Sequence, residues 1–175
     1  MNIAKQKEII DLRKEVNALQ EEYQALEKKV VEENTALLLD SGIKEFVEYV
    51  ENEGFVINGD PSAISYFTAE YESMSITVDR KERIFSVHMP NGERYSVSVE
   101  KNTGYTPYKE KSSMSQNLEL ETLQNQIEEV KKLIESVHHT KFKYVLGTES
   151  IEYNGLQFDH IVFDKFSEVL EKMFS

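Results

Sequence analysis

Residues 9–37, IIDLRKEVNALQEEYQALEKKVVEENTAL, decide the fold of this chain. Counted from Ile9 as position a of a seven-residue repeat, eight of nine consecutive a and d positions are apolar, and no glycine or proline occurs in residues 1–39. Alternating spacings of three and four place such residues on one stripe of a helix, so the pattern predicts a long coiled-coil helix. Its seam residues are Ile9, Leu12, Val16, Leu19, Tyr23, Leu26, Val30 and Leu37.

A second heptad segment follows much later in the chain. Its apolar residues are separated by three, four, three, four and three positions, and Ser115 is a suitable N-cap ahead of them. The helix is expected to end at Thr140 or at the pair His138–His139. The residues of this second seam are Leu120, Leu123, Ile127, Val130, Ile134 and Val137.

The partner of the first seam remains open between two alternatives. β-Branched residues at a with leucine at d favour a parallel two-stranded coil, which would make the protein a homodimer. In that dimer Glu22 would face Glu27, a like-charge pair, so antiparallel packing against the second heptad helix is comparably supported. Because the second helix is shorter, we expect the N-terminal turns of the first to lie beyond its reach and to bind a partner.

Between the helices the apolar period changes from 3.5 to 2. After an amphipathic helical stretch that Gly54 ends, strands are predicted at Phe55–Ile57 and Ile64–Tyr71. Three alternating runs beginning at Met74, Phe85 and Tyr95 predict an antiparallel β-meander with one polar face, and Asn91–Gly92 predicts a type I′ hairpin turn in which both residues have positive φ. The polar segment Lys101–Ser115 predicts a linker.

The C-terminal region predicts a small hairpin and a last helix. A strand is expected at Phe142–Leu146, followed by two short strands around an Asn154–Gly155 turn, and Asp159 is expected to cap a helix that carries Val162 and Phe163 on its apolar face. The chain is therefore an α+β protein with four predicted segments: a coiled-coil arm (1–40), an α+β region (41–113), the second heptad helix (114–140) and the hairpin with its helix (141–175).

The composition excludes several kinds of chemistry. The chain has no cysteine, which excludes disulfides, thiolate nucleophiles and cysteine zinc sites. The formal charge is −12 and is spread along the chain, which disfavours direct binding of nucleic acids or anionic lipid. Because there is neither a membrane-length apolar run nor a secretion signal, we expect a soluble, cytoplasmic protein without a membrane partner.

Enzyme motifs are missing from the sequence, which contains no P-loop, GxGxxG, GxSxG or HExxH pattern. The histidines are the remaining candidates. Glu135, His138 and His139 could share one helix face, but a solvated helix end explains them better than a metal site does. His88 on the meander and His160, expected in the first turn of the last helix, have no neighbouring catalytic partner. We expect no catalytic, cofactor-binding or metal-binding residue.

One acidic stretch is a candidate for partner binding. Acidic groups on a rigid surface can imitate nucleic-acid phosphates and occupy the basic groove of a nucleic-acid-handling protein, although an ordinary exposed helix face explains the same residues. The residues of this predicted acidic patch are Glu45, Glu48, Glu51, Glu53, Glu70, Tyr71 and Glu72.

Three hypotheses of function follow. The leading one is a non-enzymatic interaction or assembly protein, expected as a homodimer, that uses the coiled-coil arm and a small α+β head. The second is a small acidic inhibitor of the phage or mobile-element type that blocks a basic nucleic-acid-handling or defence protein. The third, with less support, is an enzyme whose site is assembled from residues distant in sequence.

Overall fold

A computed structural model describes residues 2–102, 115–152 and 155–175. The class is α+β, as the sequence predicts. The described residues form three helices, which are α1 (Ile3–Asn52), α2 (Gln116–Ser136, extended by a 3-10 turn at Val137–His139) and α3 (Phe166–Phe174). They also form seven strands, which are β1 (Val56–Asn58), β2 (Tyr66–Tyr71), β3 (Met74–Arg80), β4 (Ile84–His88), β5 (Arg94–Lys101), β6 (Phe142–Glu152) and β7 (Gly155–Phe163). Most of the predicted linker, and Asn154 of the second predicted turn, lie outside the described residues.

Two compact units divide the chain. The helix unit comprises Met1–Glu32 and Thr103–Thr140, and the sheet unit comprises Glu33–Asn102 and Lys141–Ser175. Helix α1 contributes residues to both units, because it continues without a break through the predicted amphipathic stretch that Gly54 ends.

The helix unit pairs α1 with α2, which confirms that the two heptad helices associate. Near the first turn of both helices, the Gln116 side chain donates a hydrogen bond to the Gln6 side chain at 3.1 Å. Farther along both helices, Lys131 Nζ donates to Glu15 at 3.3 Å. Like ends therefore lie together and the helices are parallel. The antiparallel alternative is wrong, because an alternating spacing of three and four is the same in both directions and does not encode direction.

The N-terminal turns of α1 are covered by α2, contrary to prediction. Gln116, the first residue of α2, accepts a hydrogen bond from the Asn2 backbone N–H at 3.4 Å, and Ile9 is completely buried against Leu123 and its neighbours. The start of α2 also follows the prediction, because the Ser115 hydroxyl accepts from the Leu118 N–H. The reach of α2 was misjudged because a parallel α2 begins at the N-terminal end of α1.

Leu37 does not belong to the seam. It is 66% exposed, although it continues the seven-residue repeat from Val30. In the part of α1 that lies in the sheet unit the buried positions begin at Thr35, which is 8% exposed, and continue at Leu39, Ile43 and Phe46. The step of five from Val30 to Thr35 does not fit a heptad repeat, whose steps are three and four, so the buried face of α1 changes phase and the heptad pattern stops at Val30.

The sheet unit contains one antiparallel sheet whose seven strands follow one another in chain order. The predicted meander is confirmed, and the predicted C-terminal hairpin joins the same sheet because β6 pairs with β5. One face carries the side chains of Phe67, Val78, Phe85 and Val97, each at most 1% exposed. Helix α3 and the C-terminal part of α1 supply the rest of this core.

Phe166 is the contact by which α3 packs on α1 inside the sheet unit. Its ring lies against Tyr144 and Phe85, with centroids 5.3 and 6.0 Å away. It also lies over Gly42, where an added Cβ would approach two of the ring carbons to 2.9 Å. A glycine in the interior of a helix is unfavourable by itself, so its place here follows from this close approach.

The start of the last helix was predicted wrongly. Asp159, Val162 and Phe163 lie in β7, and α3 begins only at Phe166 with Lys165 as its N-cap. His160 is therefore a strand residue opposite Gly147 of β6, and not a residue of the first helical turn. The apolar residues around Val162 and Phe163 fit both the 3.6-residue period of a helix and the two-residue period of a strand. Pairing with β6 selects the strand.

The turn at Asn91–Gly92 exists but is not of type I′. Gly92 has a φ of 89°, whereas no positive φ occurs at Asn91. The Gly92 N–H donates to the Met89 carbonyl at 3.0 Å, and the Met89 N–H donates to the Glu93 carbonyl at 2.9 Å. The loop has three residues because Pro90 holds a negative φ and favours a type I turn, which the left-handed glycine then closes.

Candidate functional site

The two seams of the helix unit are buried unequally. On one side of the pair lie the a residues of α1 and the d residues of α2, and all of them are at most 6% exposed: Ile9, Val16, Tyr23, Val30, Leu123, Val130 and Val137. In a parallel pair the d residues of one helix and the a residues of the other lie together on the opposite side. On that side only Ile127 is buried, at 7% exposure, and the other large apolar side chains are half-buried. We call these the open row: Leu12, Leu19, Leu26, Leu120 and Ile134.

Ion pairs between the helices agree with this arrangement. Arg13, at an e position, donates to Glu119 with its Nε at 3.1 Å and pairs with it again through Nη2, so this pair flanks the fully buried side. Glu15, at a g position, pairs with Lys131 and flanks the open row. The Glu15–Lys131 pair is about half exposed, so it fixes the parallel register more than it contributes to stability.

Two residues of the predicted acidic patch have neighbours outside it. Glu45 lies near Tyr144, whose pKa is raised by burial and by the charge of Glu45. Glu48 lines a crevice of about 430 Å³ together with Asp60 and Arg80. These two glutamates therefore have neighbours outside the predicted patch, although Glu48 and Glu51 are one helical turn apart on α1.

The other predicted residues of the patch lie at one end of the sheet. Tyr71 pairs with Met74 across the β2–β3 turn, and its ring lies 5.6 Å from that of Phe55, just after α1. Because turns alternate between the two ends of a meander, the β4–β5 turn lies at this same end. We call this surface the turn edge: Glu51, Glu53, Phe55, Glu70, Tyr71, Glu72, Met74, Glu93, Arg94 and Glu149.

Charge at the turn edge is strongly negative. This surface contains six glutamates and one arginine, Arg94, which is the register partner of Glu149 in the neighbouring strand β6. Among the described residues, no ion pair with lysine or arginine involves any of these glutamates. The Glu93 pKa is lowered by hydrogen bonds from Asn91 and the Tyr95 hydroxyl, so this carboxylate keeps its charge under mildly acidic conditions.

The end of α1 at the turn edge is electrostatically unfavourable. Its last turn contains no basic residue and it is followed by Gly54 at φ 91°, whose neighbour Phe55 donates its N–H to the Val50 carbonyl at 3.0 Å. Glu51 and Glu53 stand at this negative end of the helix dipole, where each exposed acid costs about 0.3–1 kcal/mol. The local sequence is therefore not optimised for the stability of this helix end.

Sequence reasoning missed five members of the turn edge, namely Phe55, Met74, Glu93, Arg94 and Glu149. The signal for Glu93 and Arg94 was present, because the predicted meander already places every second turn at one end of the sheet. Glu149 could not be found in this way, since its position depends on the register of β6 against β5, in which Arg94 pairs with Glu149.

The remaining polar residues do not converge on a site in the described part of the chain. His88 lies on the polar face of the sheet opposite Thr77 and Arg94, and His160 is exposed in β7. In the crevice beside Glu48, Arg80 pairs with Asp40 and donates to the Pro61 and Ser62 carbonyls at 3.0 Å. No group of three histidine, aspartate or glutamate side chains suited to a metal ion occurs among the described residues.

Comparison with protein-family models, with curated proteins and with solved structures finds no match to this chain. Within the described residues, no helix is both long and apolar enough to cross a membrane.

Proposed function

We propose that this chain is a non-enzymatic assembly protein that associates with a second copy of itself through the open row of its helix unit. The observation that supports the proposal is the inequality of the two sides of the helix pair: one side is buried, and the other leaves five large apolar side chains half-buried at heptad spacing. Burying such a row against another helix pair stabilises by removing apolar surface from water.

A second copy is a suitable occupant because the open row is self-complementary in charge. Beside the row, α1 contributes the g residues Glu8, Glu15, Glu22 and Lys29, whereas α2 contributes Lys131, which also pairs with Glu15 of its own copy. In a two-fold arrangement, α1 of one copy lies against α2 of the other, so acidic and basic flanks meet. The product is a four-helix bundle, in which side chains at a and d positions fill one common core.

Sedimentation equilibrium over a concentration series tests this proposal. The wild-type chain is expected to form a dimer, and Leu12→Glu/Leu19→Glu is expected to shift it to monomer by placing charges in the new core. Ile3→Glu/Ile10→Glu is the matched control, since both isoleucines are already exposed, at 67% and 43%. Circular dichroism must show that both double variants keep their helices.

A wild-type monomer at about 1 mM protein would overturn the proposal, because the association would then be worth less than about 4 kcal/mol. Equal dissociation of the two double variants would also contradict it, since the effect would then follow charge alone and not the position of the substituted residues.

A further inference from the structure

We propose that the turn edge of the sheet unit is a docking surface for an arginine- and lysine-rich segment of another protein. This proposal concerns a different unit and a different partner from self-association through the open row. The sequence alone suggests a basic target protein, and this proposal names the surface at which such a target would bind.

Exposed apolar side chains form the centre of this surface. Tyr71 and Met74 are 40% and 42% exposed, and they lie side by side as a cross-strand pair on the face of the sheet that elsewhere forms the core. Phe55 supports the Tyr71 ring from the end of α1. An aromatic and a thioether side chain held in this way on a rigid hairpin are typical of the central residues of protein interfaces.

Carboxylates form the rim of the surface and determine the class of partner. Glu51 and Glu53 stand at the negative end of α1, and Glu72 occupies the turn between Tyr71 and Met74. These acids gain most from a cation, because a cation would compensate both their mutual repulsion and the helix dipole. Guanidinium groups bind carboxylates in a bidentate manner and also stack on a tyrosine ring, so an arginine-rich segment fits the centre and the rim together.

A second copy of this chain is excluded as the occupant by charge. The three rim glutamates, Glu51, Glu53 and Glu72, carry a charge of −3, so two such rims repel each other. Nucleic acid and anionic lipid are disfavoured for the same reason.

Fluorescence anisotropy with a fluorescein-labelled arginine–glycine repeat peptide tests the proposal on the full chain. Glu51→Gln/Glu53→Gln/Glu72→Gln is expected to weaken peptide binding about tenfold, because three rim charges that attract the basic peptide are removed. The matched control is Glu21→Gln/Glu128→Gln/Glu129→Gln, three exposed glutamates of the helix unit outside the open row. Both triple variants change the net charge equally, from −12 to −9, so nonspecific attraction falls equally in both.

The apolar centre is tested with a second pair of variants. Tyr71→Ala is expected to weaken peptide binding about fivefold, whereas Tyr66→Ala, at the other end of the same strand and 70% exposed, is expected to leave it unchanged. Circular dichroism verifies that each variant is folded, and the glutamine triple keeps the docking test valid even if Tyr71→Ala unfolds. Absence of peptide binding at low salt, or equal weakening by the two glutamine triples, would overturn the proposal.

Sedimentation equilibrium of the turn-edge triple separates this proposal from self-association. Dimer formation that persists while peptide binding is lost shows that the two surfaces act independently. If Glu51→Gln/Glu53→Gln/Glu72→Gln loses dimer formation as well as peptide binding, the assignment of peptide binding to the turn edge alone is contradicted.

Discussion

Replacement of Gly42 by alanine tests the contact between α1 and α3. In an unobstructed helix interior this change stabilises by about 1 kcal/mol, because alanine has the higher helix propensity. Here the new Cβ would lie 2.9 Å from two carbons of the Phe166 ring, which is 2% exposed and held by Tyr144 and Phe85. Overpacking of this kind costs about 1–3 kcal/mol. We therefore expect Gly42→Ala to lower the free energy of unfolding by about 1 kcal/mol.

A double-mutant cycle makes this test decisive. In a Phe166→Ala background the obstruction is gone, so Gly42→Ala is expected to change sign and to stabilise by about 1 kcal/mol. Urea denaturation followed by near-ultraviolet circular dichroism of the aromatic residues reports on the sheet unit, and Ser41→Ala, at an exposed neighbour, is the control. If Gly42→Ala stabilises the wild-type chain as much as the Phe166→Ala chain, the close approach of α3 to α1 is refuted.

Three further substitutions have expected outcomes. Glu72 has a φ of 52°, so Glu72→Gly is expected to raise the melting temperature by relieving about 1 kcal/mol of backbone strain, and an unchanged or lower melting temperature would contradict this. Ser115→Ala is expected to lower stability by about 1 kcal/mol through loss of the α2 cap, measured as faster amide exchange in the first turn of α2. The Asp60 pKa is lowered below its ordinary 3.8 mainly by hydrogen bonds from Ser62, so its contribution to stability is present above pH 3.8 and is lost as the pH falls below it. Asp60→Asn is expected to reduce the loss of unfolding free energy at acidic pH. An unchanged pH dependence would show that this carboxylate contributes nothing to stability.

Much of the fold was predictable because its signals are local. The apolar repeats identify both helices of the helix unit, and strict alternation after Met74, Phe85 and Tyr95 identifies the central strands. The Ser115 cap was also predicted, since a capping side chain and its N–H partner are only three residues apart. In each case the information lies within one or two turns or pleats of the chain.

Other features depend on information that the local pattern does not contain. The parallel direction of α2 depends on contacts such as Gln6 with Gln116, which are 110 residues apart. The exposure of Leu37 depends on where α1 begins to pack on the sheet. At Val162 the local pattern fits both a helix and a strand, and only pairing with β6 distinguishes them.

The turn edge illustrates the same distinction at the level of a candidate site. Tyr71 and Glu72 were singled out as part of an acidic stretch, but adjacency in sequence also grouped them with Glu45, which lies near Tyr144, and with Glu48, which lines a crevice. Strand register instead adds Glu149. A surface built from turns can be predicted only after the order and register of the strands are known.

The absence of cysteine permits the most direct test of self-association through the open row, because a single introduced cysteine can cross-link only with another copy. Cysteines are placed in α1 one at a time by Leu12→Cys, Leu19→Cys and Leu26→Cys, with Ile3→Cys and Ile10→Cys as exposed controls. Each is mixed with a chain that carries Leu120→Cys or Ile134→Cys in α2, because α1 of one copy lies against α2 of the other, and disulfide-linked dimers of the two variants are measured on nonreducing gels under mild oxidation. We expect efficient cross-linking for at least one open-row variant and none above background for the two controls. Cross-linking that is equally weak at all five positions, or stronger at the controls, would contradict assembly through the open row.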